Sequence, residues 1–268
     1  IGTESERIAL RRVSCNHNGC LGILASRIHG LVLEDCETSF NNWRGAWAGK
    51  YRGSPCGIKV MHSRDVTLLR HKALRNLATG VWIDEENRDV RVREATIYGN
   101  YRGLHIEAGG GPVVVERSTI CSNRLEPLGS DFRWAFGSGI AITHMPDVTL
   151  RENFLADNDT AQIGVRDDRE TRVITDGATG EKRIWRTERL ALEGNTIVAG
   201  GSRNKLLHVP DEAFDSRRFL KSLHATGNAY VTSANQSGFS VGRPAQLLGF
   251  EAWQKLTGQD GDSTHEQS

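Results

Sequence analysis

No apolar run in this 268-residue chain is longer than a handful of residues, so no segment is expected to span a membrane. An excess of one charge sign is also missing. Thirty-four Lys and Arg stand against 33 Asp and Glu, a formal net charge of +1. The basic residues are interleaved with acids, which leaves no electrostatic case for a nucleic-acid partner. Cysteine is sparse. Cys15, Cys20, Cys36, Cys56 and Cys121 are odd in number and form no CxxC, so no metal site is expected. The thiols read as small buried hydrophobes, with one disulfide among the N-terminal cysteines as the alternative. No leader is visible, and the chain opens on Ile1. That is expected of a processed or trimmed chain, or of one module of a longer multidomain enzyme. The L-x-x-L-x-L-x-x-N phrase of leucine-rich repeats is absent as well.

What is present is a repeat. Gly80-Val81-Trp82-Ile83-Asp84 and Gly103-Leu104-His105-Ile106-Glu107 are one short strand written twice, 23 positions apart. Gly57-Ile58-Lys59-Val60-Met61 is the same phrase one period earlier. Apolar residues alternate with others inside each copy, the period-2 pattern of a strand with one buried face. A second phrase recurs as Asp65-Val66-Thr67-Leu68, Asp89-Val90-Arg91-Val92 and Asp147-Val148-Thr149-Leu150. Asn76, Asn100, Asn123 and Asn158 each stand shortly before the next glycine strand, as a stacked turn ladder would place them. Strands at this period, separated by turns rather than helices, predict an all-β, right-handed parallel β-helix with coils of about 23 residues. The helix is expected over 1–243, with insertion loops at 43–56, 124–138 and 167–186. A C-terminal cap and polar tail follow at 244–268: a short helix from Pro244 to Leu256, then a frayed end.

Residues one period apart stack on neighbouring strands. One outward ladder is Lys59, Trp82, His105, Ala141, Gly164; the other is Met61, Asp84, Glu107, Thr143, Arg166. Asp84 and Glu107 therefore lie side by side at the roughly 4.7–4.9 Å strand spacing. A purely structural surface rarely pairs like charges across strands. Retaining glycosidases hold two carboxyl groups about 5–5.5 Å apart, so the pair is expected to be catalytic. Trp82, His105, Lys59 and Arg166 share its face. Trp43, Arg44 and Trp47 lie in the first insertion, and Asp131, Phe132 and Trp134 in the second. Trp43, Arg44, Trp82, His105, Lys59, Trp134 and Arg166 are the expected contacts of a carbohydrate substrate. The bland reading gives Lys59 as a surface cation on the face of Trp82. Asp167 and Asp168 are the next acidic candidates, and Glu85 and Glu86 read as solvated turn residues.

G-V-W-I-D-E-E-N at 80–87 and G-L-H-I-E-A-G-G-G-P at 103–112 resemble the parallel β-helix glycoside hydrolases that include bacterial β-xylosidases. The resemblance implies a retaining hydrolase acting on a plant or microbial glycan, with Asp84 as nucleophile and Glu107 as general acid/base. It also implies a secreted or periplasmic protein. Phe250 to Asp260 is similar to the W-Q-x-x-T-G-Q-D tail of many secreted bacterial β-helix proteins. No cofactor is expected for the hydrolase. Two alternatives stand beside it. One is a polysaccharide lyase or uronate epimerase on the same fold, where Ca²⁺ on Asp84, Glu85, Glu86 and Glu107 is expected. The other is a non-catalytic carbohydrate-binding β-helix.

Overall fold

A computed structural model describes residues 4–45, 55–125, 136–167, 173–175, 180–201, 204–210, 215–234 and 236–268. The three phrases of the repeat become three sheets that run the length of a coil. The glycine phrase forms a nine-stranded sheet, including Cys56–Met61, Thr79–Ile83, Arg102–Glu107, Ser138–Thr143, Ala161–Val165 and Lys205–Val209. The D-V phrase forms an eight-stranded sheet, and the short segments after it form a seven-stranded one. Pairing between coils is parallel and in register: Leu104 lies opposite Val81 on one side and Ile140 on the other. The second insertion is thus excluded from the register, as its length requires.

Inside the coil the apolar half of each phrase stacks on itself. Val81, Ile83, Leu104, Ile106, Ile140 and Ile142 are all buried in one continuous core. Each such side chain contributes about 1.5–3 kcal/mol relative to exposure. The Asp of the D-V phrase has a backbone reason: Asp65, Asp89 and Asp147 have φ of 54°, 53° and 56°. Asp is one of the few residues that enter this left-handed region readily.

The asparagine ladder is present and runs from Asn41 through Asn76, Asn100 and Asn123 to Asn158. Each side-chain amide donates to the next carbonyl oxygen at 2.6–3.1 Å, and Gln162 accepts the last of these bonds. Glycine is required beside it. A Cβ on Gly80 would stand 2.7 Å from Asn100 Nδ2. A second ladder, Asn153, Asn195 and Asn228, stitches the corner between the other two sheets.

Three expectations are corrected at the C-terminal half. The 167–186 segment is more than a loop: Val173–Thr175 and Lys182–Ile184 form an antiparallel pair. The capping helix begins at Phe250, not Pro244, and ends at Thr257. The tail is not frayed, because Thr264–Gln267 adds a parallel strand to Ala229–Thr232. Asp260 explains that order. Its carboxylate accepts from Trp253 Nε1, Tyr230 OH, Asn228 Nδ2 and Ser263 Oγ, while Gly258 turns the helix end at φ 68°. The W-Q-x-x-T-G-Q-D phrase therefore holds the lid of the core in place. All five cysteines are free thiols, without the alternative disulfide.

Candidate active site

Two details of the backbone fix the exit of the strand that carries Asp84. Asn87 Nδ2 donates to the carbonyls of Val60, at 2.8 Å, and Asp84, at 2.5 Å. Asn87 Oδ1 accepts from Ser63 N. The turn is thereby pinned to the coil below, and the Asp84 side chain is directed outward beside Lys59.

The outward ladder holds as expected: Lys59 opposes Trp82, Trp82 opposes His105, and His105 opposes Ala141. Glu107 opposes Thr143 on the parallel row. Asp84 and Glu107 occupy the same face on adjacent coils, but each has taken a partner of its own. Lys59 Nζ lies 2.5 Å from Asp84 Oδ2 and 3.9 Å from the centroid of the Trp82 ring. Glu107 Oε2 accepts from Trp82 Nε1 at 3.1 Å and lies 3.4 Å from His105 Nδ1. His105 Nε2 lies 3.4 Å from Thr143 Oγ1. Lys59 is therefore no surface cation.

Sequence reasoning missed Arg102. Its Nε and Nη2 donate to Thr79 Oγ1 at 3.0 and 2.8 Å, and its guanidinium stands 5.4 Å from the Trp82 centroid and 5.5 Å from that of Phe136. Burial pushes Arg102 down to about 10, against the carboxylates of Glu107 and Asp84, which raise it. A signal for it existed. The in-register positions on the nearest coils are Cys56, Thr79, Ser138 and Ala161, all small, so Arg102 stands out among them.

Lys59, Asp84, Arg102, His105 and Glu107 are all buried, between 3% and 8% exposed, while Trp82 is half-buried. The set has two cations, two carboxylates and one imidazole. Charges taken out of water cost several kcal/mol each even after relaxation, and pairing only roughly repays it. Structural economy does not produce such a cluster on the outer face of a sheet, and buried ionisable groups gathered this way are candidates for a functional site.

The other expected contacts are placed elsewhere. Trp43 Nε1 donates to the His17 carbonyl, and the Arg44 guanidinium lies 4.9 Å from the Trp43 centroid, so both belong to the rim of the first coils. Arg166 lies half-buried on the Glu107–Thr143 row, two coils beyond Glu107. Asp167 has a structural role, accepting from His144 N, Thr187 N and Thr187 Oγ1. Glu86 meets His62 Nδ1 at 3.0 Å. Trp47, Asp131, Phe132, Trp134 and Asp168 lie outside the described residues. The residues present do not fit the Ca²⁺ of the lyase alternative. Asp84 is held by Lys59 and Glu86 by His62, and no group of three or more His, Cys, Asp or Glu is gathered for a metal among the described residues.

Three sheets of stacked parallel strands with asparagine ladders at the corners define a parallel β-helix carrying one charged site on one sheet. Residues 3–155 match the family model described as the right handed beta helix region, and the chain belongs to that family. No curated protein sequence matches the chain. Among solved structures it is similar to the A-module of the Azotobacter vinelandii mannuronan C-5 epimerase AlgE4, at TM-score 0.62 and 17% identity. That match covers 97% of this chain and 58% of the other. It is similar to a mutant of the periplasmic alginate epimerase AlgG, at TM-score 0.61 and 16% identity, over 85% of this chain and 46% of that one. It is also similar to the pectate lyase Pel9A, at TM-score 0.50 and 11% identity, over 90% and 62%. The chain spans about half the length of the two epimerases.

These neighbours overturn the hydrolase expectation. They are epimerases and a lyase, not glycoside hydrolases of the β-xylosidase kind, and they favour the alternative on the same fold. The site agrees physically. Asp84, assigned as nucleophile, is ion-paired to Lys59, and Glu107, assigned as acid/base, is held by an indole N–H beside an imidazole. The register carries both acids on one face of adjacent coils.

Proposed function

We propose that the chain acts on a uronate-containing polysaccharide by removing the proton at C-5, the carbon beside the sugar carboxylate, as a C-5 epimerase. The carrying observation is the buried set Lys59, Arg102, His105, Glu107 and Asp84 on the outer face of one β-helix sheet. A proton α to a carboxylate is hard to remove, because the developing charge falls on a group already negative. Cations beside that group offset the charge, and a positioned base takes the proton. Arg102 and Lys59 supply the cations in this reading. His105 is the base rather than a mere substrate contact. With a proton on Nδ1, facing Glu107, Nε2 beside Thr143 Oγ1 is the accepting nitrogen. Glu107 is a positioning residue for His105, Asp84 balances Lys59, and Trp82 orders both cations and Glu107. Reprotonation at C-5 by water on the opposite face of the sugar gives the epimer; breaking the C-4–O bond, with the leaving oxygen protonated by water, instead gives the lyase product. The names of the structural neighbours support both outcomes. Acting on such a polymer agrees with a secreted or periplasmic setting.

The test is incubation with polymannuronate and with polygalacturonate in D₂O. Deuterium entering at C-5 is followed by NMR, and ultraviolet absorbance reports any new double bond. Exchange is expected in the wild type and should fall at least ~10²-fold in a folded His105→Gln variant. Absorbance without epimer assigns the lyase. No exchange on any uronate polymer removes the reading.

A further inference from the structure

The seven-stranded sheet carries almost no charge on its outer face. Ala73, Ile97, Ile120, Leu155, Ile197 and Tyr230 point into the core, so the residues on either side of them face out. On the five strands between Lys72–Leu74 and Thr264–Gln267 those outward residues are Thr, Tyr, Cys, Phe, Ala and Val, with no Asp, Glu, Lys or Arg. Tyr98 and Phe154 are exposed, and Cys121, Val198 and Val231 are half-buried. The charges stand at the two ends of this strip. At one end Lys72 is exposed, and the Arg75 guanidinium lies 6.0 Å from the centroid of the Tyr98 ring. At the other end Glu266 is exposed on Thr264–Gln267, the last strand. A charge-depleted centre with aromatic residues is the composition of an interface core.

We propose that this face is the contact between two copies of the chain, related by a two-fold axis along the middle strand, Phe154–Ala156. The ends of the strip select that partner. Such an axis turns the first strand of one copy onto the last strand of the other and keeps positions along the strands unchanged. Leu74 and Glu266 occupy the same row, so Leu74 lies over the second copy's Glu266, with Lys72 and Arg75 on either side of it. The same group forms again at the opposite end. Rotation about the solenoid axis instead would set Lys72 against its own counterpart, like charge against like. At the centre Phe154 packs against its counterpart, beside the buried Ala156. Glu152 and Asp157, exposed at the rims, also meet their counterparts. The strip measures roughly 29 by 10 Å, less than the ~800 Å² per partner of a standard interface. Small area and rim repulsion together make the pairing weak and concentration-dependent. The candidate active site lies on another sheet, so the inference is independent of the uronate reading.

The test is analytical ultracentrifugation from ~10 μM to ~1 mM protein, under reducing conditions because Cys121 lies on the strip. Wild type should move from monomer toward dimer across that range. Phe154→Glu should stay monomeric throughout. Glu266→Lys alone, and Lys72→Glu/Arg75→Glu alone, should each weaken association at least roughly tenfold, because like charges then face one another at both ends. An equimolar mixture of those two variants should recover wild-type association as a mixed dimer, followed by a fluorophore on one of them. In the mixture every contact again joins opposite signs. That recovery cannot come from a misfolded chain, and circular dichroism reports the fold of each variant at these exposed positions. Wild-type protein that stays monomeric at ~1 mM overturns the proposal. So does association that ignores the substitutions, or two charge variants that fail to pair with each other.

Discussion

Two sheets of the same coil treat charge in opposite ways. On the eight-stranded sheet one outward row reads Arg11, Glu34, Leu69, Arg93, Glu116, Arg151, Glu193, Thr226, each opposite the next. Signs alternate, and the ion pairs Arg11–Glu34, Arg93–Glu116 and Arg151–Glu193 close at 3.0, 2.6 and 2.8 Å, with the arginines well exposed. This is cross-strand complementarity on a solvated face. On the nine-stranded sheet two acids stand on adjacent coils, two cations cluster on one indole, and the whole set is buried. The backbone is alike in both places. An exposed ladder of opposite charges is satisfied by its neighbours and by water; a buried, crowded set on an outer face is not, and that sets the candidate site apart.

The contrast can be broken most severely at Lys59. Lys59→Ala leaves the Asp84 carboxylate buried without its counter-ion, and urea unfolding should show a loss of about 3–5 kcal/mol. Next in size is a pH effect at a third place, His71. It is buried, bonded to Thr38 Oγ1 at 2.8 Å, and pushed down to about 4 by burial. The folded chain keeps this imidazole neutral, whereas the unfolded chain takes up a proton near 6.5. Its contribution is therefore complete above pH 6.5 and lost as pH falls toward 4, about 3 kcal/mol in all. His71→Asn should flatten the dependence of the urea midpoint on pH across that window. A sharper probe replaces both members of the buried pair. Lys59→Met with Asp84→Leu should unfold within about 1 kcal/mol of wild type, or later, because the desolvation cost disappears with the charges. C-5 exchange should be lost in it all the same. The smallest effect belongs to the exposed ladder: Arg151→Gln should cost no more than about 1 kcal/mol in the same assay, and less in high salt.

The parts of the fold that repeat were legible in the sequence, and the parts that do not repeat were not. Val81, Ile83, Leu104 and Ile106 announce a strand by alternation, and their period announces the stacking. The same arithmetic placed Asp84 beside Glu107. Arg102 escaped because it precedes the glycine phrase, where a turn residue attracts no attention until the columns are aligned. The antiparallel pair Val173–Thr175 and Lys182–Ile184 and the strand at Thr264–Gln267 escaped because neither carries the period. The first is an antiparallel pair outside the coil, and the second is a polar edge strand ordered from a distance by Asp260.

By itself the sequence determined the coil, its register and which residues share a face, because those follow from a 23-residue period and a two-residue alternation, both local. Tertiary structure alone decided the chemistry of that face. Long side chains such as Lys59 and Arg102 reach across coils to carboxylates and an indole, and burial then sets what each charge is worth. Neither reach nor burial is a property of any stretch of sequence.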